Sequence, residues 1–212
     1  MTLDPDQTHP IRFPDGAVHD GTVYLNRVLE HPDILVGDYT YYSTFDPAAD
    51  PREYAARLAP YLFAGAPEKI RIGRFCQIAH GVRFLTSGAN HAMDGLTSFP
   101  FPIFDPEQIG SYQPDTRDTV IGHDVWLGYG AIVCPGARIG NGVIVGAGSV
   151  VRGNVPDCSI VVGNPAQVVR MRFSEADIVR LTRLAWWYWP AEHIQRAMPA
   201  LLSGDITALE QL

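Results

Sequence analysis

The chain has 212 residues, and 16 basic against 23 acidic side chains give it a formal net charge of −7. So acidic a chain argues against nucleic-acid binding, which usually requires a basic face. Hydrophobic residues make up 46% of the chain and charged residues 18%, so it can bury a full core, and its length suits one domain with short appendages.

The N-terminus and the cysteines indicate the compartment. The first ten residues, MTLDPDQTHP, contain neither the basic nor the apolar region of a signal peptide, and no apolar run approaches the roughly 18 residues of a membrane span. Cys76, Cys134 and Cys158 are odd in number and share no CxxC spacing, which argues against a disulfide framework or a zinc ribbon. We therefore expect a cytoplasmic protein that binds no membrane.

A six-residue repeat dominates the chain from residue 121 onward. Aliphatic residues stand at Ile121, Leu127, Val133, Ile139, Val145 and Val151. Four positions after each of them stands a small or β-branched residue, namely Val125, Ala131, Ala137, Val143, Ser149 and Val155. A period of six fits neither an amphipathic helix nor an alternating strand, but it is typical of a β-solenoid.

Each hexapeptide is predicted to form one short strand and one corner, so that three faces make a coil of about 18 residues. The aliphatic side chain would point inward, the small residue would fill the interior near the corner, and the glycine that often follows the aliphatic residue would allow the bend. Coils would stack at the strand spacing of about 4.8 Å. Earlier copies at Val36-Gly37 and Ile72-Gly73 place the start of the solenoid near residue 34.

The repeat loses its register between Phe84 and Ile121, and an excursion of that length within a repeat fold is usually functional. The sequence therefore predicts an N-terminal extension over 1–33, a solenoid over 34–171 with a loop excursion over 85–118, and a C-terminal helical region over 172–212.

The C-terminal region begins with a capping box, Ser174 to Asp177, which predicts the start of a helix. The cluster Trp186, Trp187, Tyr188 and Trp189 follows and ends at Pro190. We interpret it as an apolar cap over the open end of the solenoid, with a partner interface as the alternative.

Four ordered blocks closely resemble the xenobiotic acetyltransferases, the hexapeptide subfamily of streptogramin A and type B chloramphenicol acetyltransferases. The blocks are NHAMDGLTSFPF (90–101), VGDYTYY (36–42), IGHDVWLG (121–128) and AWWYWP (185–190). The resemblance covers residues 33 to 195. It implies an all-β solenoid, a left-handed parallel β-helix of hexapeptide repeats with an excursion loop and a C-terminal helical cap, assembled as a homotrimer with active sites between subunits.

The resemblance also implies an acetyl-CoA-dependent O-acetyltransferase with His91 as the catalytic base. Acetyl transfer to a hydroxyl requires removal of the hydroxyl proton, and imidazole titrates near the operating pH. Taken alone, one histidine would more often be structural. No cysteine or serine lies in a supported nucleophile motif, so we expect direct transfer without an acyl-enzyme.

For acetyl-CoA, the resemblance assigns the path of the pantetheine arm to Trp126, Gly128, Gly146, Ala147 and Ser149, with Pro165 toward the nucleotide end. The glycines are equally explained as corner residues. The loop position that holds a lysine in the broader family is Gly153 here. Arg152, Arg170 or Arg172 could instead bind the CoA phosphates, because guanidinium suits phosphate well, although the last two could also be solvated charges.

For the acceptor, the resemblance assigns Tyr41 and Phe63, with Met93 and Leu96 as wall residues. Aromatic and thioether surfaces suit a bulky, mostly apolar alcohol. The match around Met93 favours streptogramin A (virginiamycin M) over chloramphenicol. The segment from Asp105 to Asp118 is shorter than in the antibiotic-resistance members, however, and this leaves a housekeeping metabolite open as the acceptor.

Two other functions remain open from the sequence. The γ-type carbonic anhydrases share the repeat and bind zinc through three histidines, a set that His80, His91 and His123 could imitate; the residues flanking them match the acetyltransferases instead, so we expect no metal. The second alternative is a non-enzymatic hexapeptide scaffold whose tryptophan-rich terminus binds a partner.

Overall fold

The computed structural model describes residues 3–63, 65–112 and 115–212. The strands of these residues are β1 (Thr22–Tyr24), β2 (Ile34–Val36), β3 (Tyr41–Ser43), β4 (Ile70–Ile72), β5 (Gln77–Ile78), β6 (Arg83–Phe84), β7 (Thr119–Ile121), β8 (Trp126–Leu127), β9 (Ile132–Val133), β10 (Arg138–Ile139), β11 (Ile144–Val145), β12 (Val150–Val151), β13 (Asn154–Val155), β14 (Ser159–Gly163) and β15 (Ala166–Met171). The helices are α1 (Leu25–Val28), α2 (Arg52–Leu58), α3 (Glu175–Leu184), α4 (Ala191–Ser203) and α5 (Ile206–Leu209). Among the residues described, no helix has the length and apolar character needed to cross a bilayer.

The strands form three sheets whose members come from successive coils. The orders are β1-β3-β5-β8-β11-β14-β15, β13-β10-β7-β4-β2 and β12-β9-β6. Ile144 pairs in parallel with Trp126, and Val150 pairs in parallel with Ile132, so the partners on these faces lie 18 residues apart. This spacing is the one that the repeat predicts for a three-faced coil.

Antiparallel strands stand at the two ends of the largest sheet. β1, which belongs to the predicted N-terminal extension, pairs with β3, and β15 folds back on β14. The first of these pairs makes residues 22–24 part of the sheet, although the sequence places them outside the solenoid.

The interior of the stack contains the residues that the repeat predicts. The inward aliphatic positions from Ile121 to Val151 are all buried, and so are the small positions from Val125 to Val155. In the earlier coils Ile72, Cys76 and Phe84 are buried in the same way. Burial therefore confirms the alignment of these hexapeptides, whereas Val36 in the first copy is only partly buried.

Where a glycine follows the inward aliphatic residue, it has a different role from the one predicted. A Cβ atom on Gly122 would lie 2.8 Å from the backbone carbonyl carbon of Gly140, and one on Gly128 would lie 2.7 Å from the carbonyl oxygen of Val145. Neither glycine adopts the left-handed conformation. The glycines are thus needed because the backbone of the next coil approaches closely, and the interpretation that they permit the bend was wrong.

The bend itself occurs two residues later. At one corner the left-handed positions of successive coils are Tyr39, Phe75, Asp124, Gly142 and Cys158. We call this set the left-handed corner. Most of its members are not glycines, which is why the sequence did not reveal it.

The C-terminal region packs against the left-handed corner. Ser174 accepts a hydrogen bond from the Asp177 N–H and caps α3, as predicted. The Trp186 ring lies 4.9 Å from the ring of Phe75, and Trp187 stacks on His123 at 5.3 Å between centroids. These contacts are on the side of the stack, at two neighbouring coils, so a cap over its open end is not confirmed.

An ion pair joins Arg172, the residue that follows β15, to the same corner. Arg172 Nη1 lies 3.4 Å from Asp124 Oδ2 and donates to the carbonyl oxygen of Gly142 at 2.6 Å. Burial raises the pKa of the Asp124 carboxyl, and Arg172 counteracts that rise. Removal of the guanidinium would leave both oxygens without this partner in a partly buried place.

We therefore expect Arg172→Ala to lower the free energy of unfolding by about 1–3 kcal/mol, the cost of leaving a buried polar group unpaired. Urea denaturation followed by circular dichroism measures the change. Arg170→Ala is the matched control, because Arg170 lies two residues earlier, on β15, and is exposed. An equal loss for both variants would contradict the role of the ion pair.

Candidate active site

His91 lies at the start of the excursion, two residues after the 3₁₀ turn at Ser87–Ala89. Its side chain is exposed, and Nδ1 lies 2.9 Å from the carbonyl oxygen of Ser98. Because a carbonyl oxygen can only accept, this contact requires the proton on Nδ1. Nε2 of the neutral ring then carries a free lone pair, as a general base requires.

The base of the excursion is held by a buried carboxylate. Glu68 is 3% exposed, and its Oε1 accepts a hydrogen bond from the Ser87 N–H at 2.7 Å and another from the Ser87 hydroxyl. On the other side, a Cβ atom on Gly88 would lie 2.9 Å from the Phe63 ring, so the turn fits tightly against that residue. Glu68 could not be found from the sequence, because it lies outside the hexapeptide pattern and contacts a residue 19 positions away.

Three of the four predicted acceptor residues are surface residues in the single chain. Phe63 is 61% exposed and Met93 is 89% exposed, and the Leu96 side chain is fully exposed. Phe99, Phe101 and Phe104 add further apolar surface in the same excursion. Exposed apolar patches of this kind mark interaction or ligand-binding surfaces.

Tyr41, the fourth predicted acceptor residue, lies in a different environment. It lines a cavity of about 330 Å³ together with Tyr24, Tyr39, Phe75 and Trp186, and the other three predicted acceptor residues are not part of its wall. Burial raises the pKa of the Tyr41 hydroxyl, so this group stays protonated and able to donate near neutral pH. His91 is not among the residues that line this cavity.

The residues predicted for the pantetheine arm divide into surface and interior positions. Trp126 is 48% exposed on β8, and Ala147 is also exposed. A Cβ atom on Gly146 would meet Val162 at 2.7 Å, and Gly128 is needed for the close approach of coils described above. The Ser149 side chain is buried and accepts a hydrogen bond from the Gly163 N–H at 3.1 Å. The two glycines and Ser149 thus have structural roles of their own.

Pro165 and two of the candidate arginines are at the surface. Pro165 lies in the exposed turn between β14 and β15, and Arg152 and Arg170 are exposed as well. Arg172 differs, because it is held by Asp124 and Gly142. The geometry therefore favours Arg152 and Arg170 over Arg172 as cations available to a ligand.

The histidines that could imitate a zinc site have other partners. His80 Nδ1 lies 2.9 Å from the Thr44 hydroxyl. His123 Nδ1 accepts from the Arg74 N–H at 2.9 Å, and its Nε2 lies 2.8 Å from the Tyr188 hydroxyl. Burial, and secondarily Arg74, lowers the pKa of His123. Across the described ranges, no three His, Cys, Asp or Glu side chains converge in a way that could hold a metal ion.

Comparison with known proteins identifies the family of the chain. The model of the bacterial transferase hexapeptide (six repeats) matches residues 118–153. The chain is 37% identical over 194 residues to a chloramphenicol acetyltransferase of Agrobacterium fabrum, with 88% of this chain and 90% of the relative covered.

Two further relatives have different names. A probable macrolide acetyltransferase of Lysinibacillus sphaericus is 45% identical over 161 residues, with 72% of this chain and 85% of the relative covered. Virginiamycin A acetyltransferase of Staphylococcus aureus is 34% identical over 216 residues, with 98% and 92% covered. On this identity and coverage, the chain is an acetyltransferase that belongs to the xenobiotic acetyltransferase subfamily of the hexapeptide-repeat acyltransferases.

Proposed function

We propose that the protein transfers an acetyl group from acetyl-CoA to a hydroxyl of a bulky, mostly apolar, antibiotic-like acceptor, with His91 as the general base. The observation that carries this proposal is the contact between His91 Nδ1 and the Ser98 carbonyl, which leaves Nε2 as the proton acceptor. Membership of the acetyltransferase family supports it and argues against a non-enzymatic scaffold.

In the proposed reaction, His91 Nε2 takes the proton of the acceptor hydroxyl while the oxygen attacks the thioester carbonyl carbon. The carbon–sulfur bond then breaks, and the proton passes from His91 to the departing CoA sulfur. A positioned base of this kind contributes roughly 10²- to 10⁴-fold to the rate.

The cysteines argue against a covalent acetyl-enzyme and therefore favour direct transfer of the acetyl group. Burial raises the pKa of the Cys76 thiol to about 12, and it raises the pKa values of Cys134 and Cys158 as well. Because the thiolate is the nucleophile, these thiols are poor candidates for a covalent acetyl-enzyme.

For the donor, we propose that acetyl-CoA lies along the outside of the coils past Trp126 and Ala147, with Arg152 or Arg170 at its phosphates. The exposure of these four residues supports the proposal. The coils beneath this surface would be held close together by the packing of Gly128, Gly146 and Ser149. Pro165 would lie toward the nucleotide end of acetyl-CoA.

For the assembly, we propose a homotrimer of left-handed β-helices in which the excursion of one subunit closes over the acceptor site of its neighbour. The exposure of Met93, Leu96 and Phe63 supports this arrangement, because apolar side chains this exposed are favourably covered by a second surface. It would also unite Tyr41 of one subunit with His91 of another.

We propose the acceptor only as a class, a bulky and mostly apolar alcohol. Within that class, the sequence favours streptogramin A. The relatives are named for chloramphenicol, a macrolide and virginiamycin A, so their names do not favour streptogramin A over the other two. An acceptor from ordinary metabolism remains the alternative within the same reaction class.

An acceptor panel tests the proposed function. We expect purified protein to release free CoA thiol from acetyl-CoA when virginiamycin M, chloramphenicol or a macrolide is added, and a thiol reagent measures the rate for each. No release with any of the three would contradict an antibiotic-like acceptor. A rise in melting temperature on addition of acetyl-CoA alone tests donor binding separately.

We expect His91→Ala to lower kcat by about 10²- to 10⁴-fold with the best acceptor of the panel, because the general base is lost. The rise in melting temperature caused by acetyl-CoA should remain. His31→Ala serves as a control from outside the excursion. A fully active His91→Ala enzyme would refute the mechanism.

We expect Arg170→Ala to raise KM for acetyl-CoA about 3- to 10-fold with little change in kcat, because a phosphate contact remote from the reacting carbonyl contributes uniform binding. Steady-state kinetics at saturating acceptor measure both constants. Arg196→Ala, another exposed arginine but on α4, is the control. An unchanged KM for Arg170→Ala would remove this residue from the donor site.

A further inference from the structure

We infer that Tyr112 is a positioning residue for His91, which it holds through the backbone on both sides of the histidine. The inference rests on the proposed function of His91 as general base. It concerns the short segment 105–118, where the sequence departs from the antibiotic-resistance members of the family.

The Tyr112 hydroxyl bridges the two residues that flank His91. It donates to the carbonyl oxygen of Asn90 at 3.1 Å and accepts from the N–H of Ala92 at 3.1 Å. A phenol has one donor and can accept as well, so a single hydroxyl satisfies both backbone groups. The peptide units before and after His91 are therefore fixed to one atom.

Hydrogen bonds are the main restraint on this part of the excursion. All residues from His91 to Phe99 are exposed, so the segment has little buried surface to hold it. Around His91, the other hydrogen bonds run from the Asn90 N–H to Ser87 and between the imidazole and Ser98. Removal of the Tyr112 hydroxyl would thus leave the backbone after Asn90 without its two anchors.

Tyr112 is itself held by a compact turn. The Ile109 N–H donates to the carbonyl oxygen of Asp105 at 2.9 Å, and a 3₁₀ turn at Ile109–Ser111 leads directly to Tyr112. The Ser111 hydroxyl closes this turn by donating to the carbonyl oxygen of Gln108 at 2.7 Å. The phenol is therefore presented from a locally ordered support.

Tyr112 would affect catalysis through the position of the His91 imidazole. A general base must lie within hydrogen-bond reach of the proton it removes, and a displacement of about 1 Å can cost about 10²-fold in rate. By restraining the backbone at Asn90 and Ala92, Tyr112 sets the position from which the imidazole reaches both Ser98 and the acceptor. It does not touch the reacting atoms.

Tyr112→Phe tests the inference, because it removes the hydroxyl and keeps the ring. We expect kcat to fall about 10- to 100-fold, while KM for acetyl-CoA stays within about twofold, because the proposed donor contacts at Trp126 and Arg170 lie outside this loop. The assay uses acetyl-CoA with the best acceptor of the panel. A kcat equal to that of the wild type would overturn the inference.

Ser111→Ala is the matched control. It removes a hydroxyl from the same turn, but this hydroxyl donates to the Gln108 carbonyl oxygen rather than to the backbone around His91. We expect its kcat to stay within about threefold of the wild type. A loss as large as that of Tyr112→Phe would mean that the general integrity of the loop matters and would overturn the specific role of Tyr112.

A double-mutant cycle separates this inference from the proposed function. In the His91→Ala background, Tyr112→Phe should cause no further loss, because a positioning residue acts only through the group it positions. An undiminished further loss would overturn the inference. A fully active His91→Ala single variant would instead refute the proposed function.

A readout without turnover completes the test. In ¹⁵N-histidine-labelled protein, we expect the His91 ring to show the Nδ1-protonated tautomer, and Tyr112→Phe to shift it toward an averaged mixture of tautomers. His31 provides the internal reference. Unchanged ¹⁵N shifts for His91 in Tyr112→Phe would overturn the inference whichever acceptor is used.

Discussion

The close approach of neighbouring coils at the glycine column is the constraint on which the rest of the structure depends. The Gly73 N–H donates to the carbonyl oxygen of Ile121 at 3.0 Å, and the Gly122 N–H donates to that of Ile139 at 2.8 Å. A side chain at either glycine would occupy the space of the next backbone. This contact fixes the coil register across the excursion, since β4 pairs directly with β7 although 85–118 lies between them. The excursion therefore leaves the stack without interrupting its core.

Because the core excludes the excursion, the geometry around His91 is maintained by a few polar contacts on a rigid base. Glu68 fixes Ser87 at the point where the chain leaves the stack, and Tyr112 fixes the backbone around His91 further out. The loop can thus present exposed apolar side chains for an acceptor or a second subunit, since its position does not depend on burying them.

The sequence predicts the interior of the fold well and the supporting contacts of the site poorly, for physical reasons. A backbone ladder that repeats every coil forces a periodic sequence, so Leu127 and Val145 reveal their inward direction. A glycine, however, is equally compatible with a bend and with close approach, and the bend at the left-handed corner uses residues such as Phe75 and Asp124 that carry no such signal. His91 is recognisable only within its motif. The contacts of Glu68 and Tyr112 join residues 19 to 22 positions apart without any period, and only the folded chain shows them.

The left-handed corner also changes the interpretation of the tryptophan-rich block. Trp186 packs on Phe75 and lines the same cavity as Tyr41, so its ring forms part of the wall that the proposed acceptor would meet. His123 holds the adjoining residues in place, because Trp187 stacks on its ring and the Tyr188 hydroxyl lies 2.8 Å from its Nε2. In the proposed function, the packing of this corner would therefore also shape the acceptor site. A substitution that loosens the C-terminal helices should widen the cavity before it disturbs the hexapeptide core, because the core is closed by backbone contacts that the helices do not make.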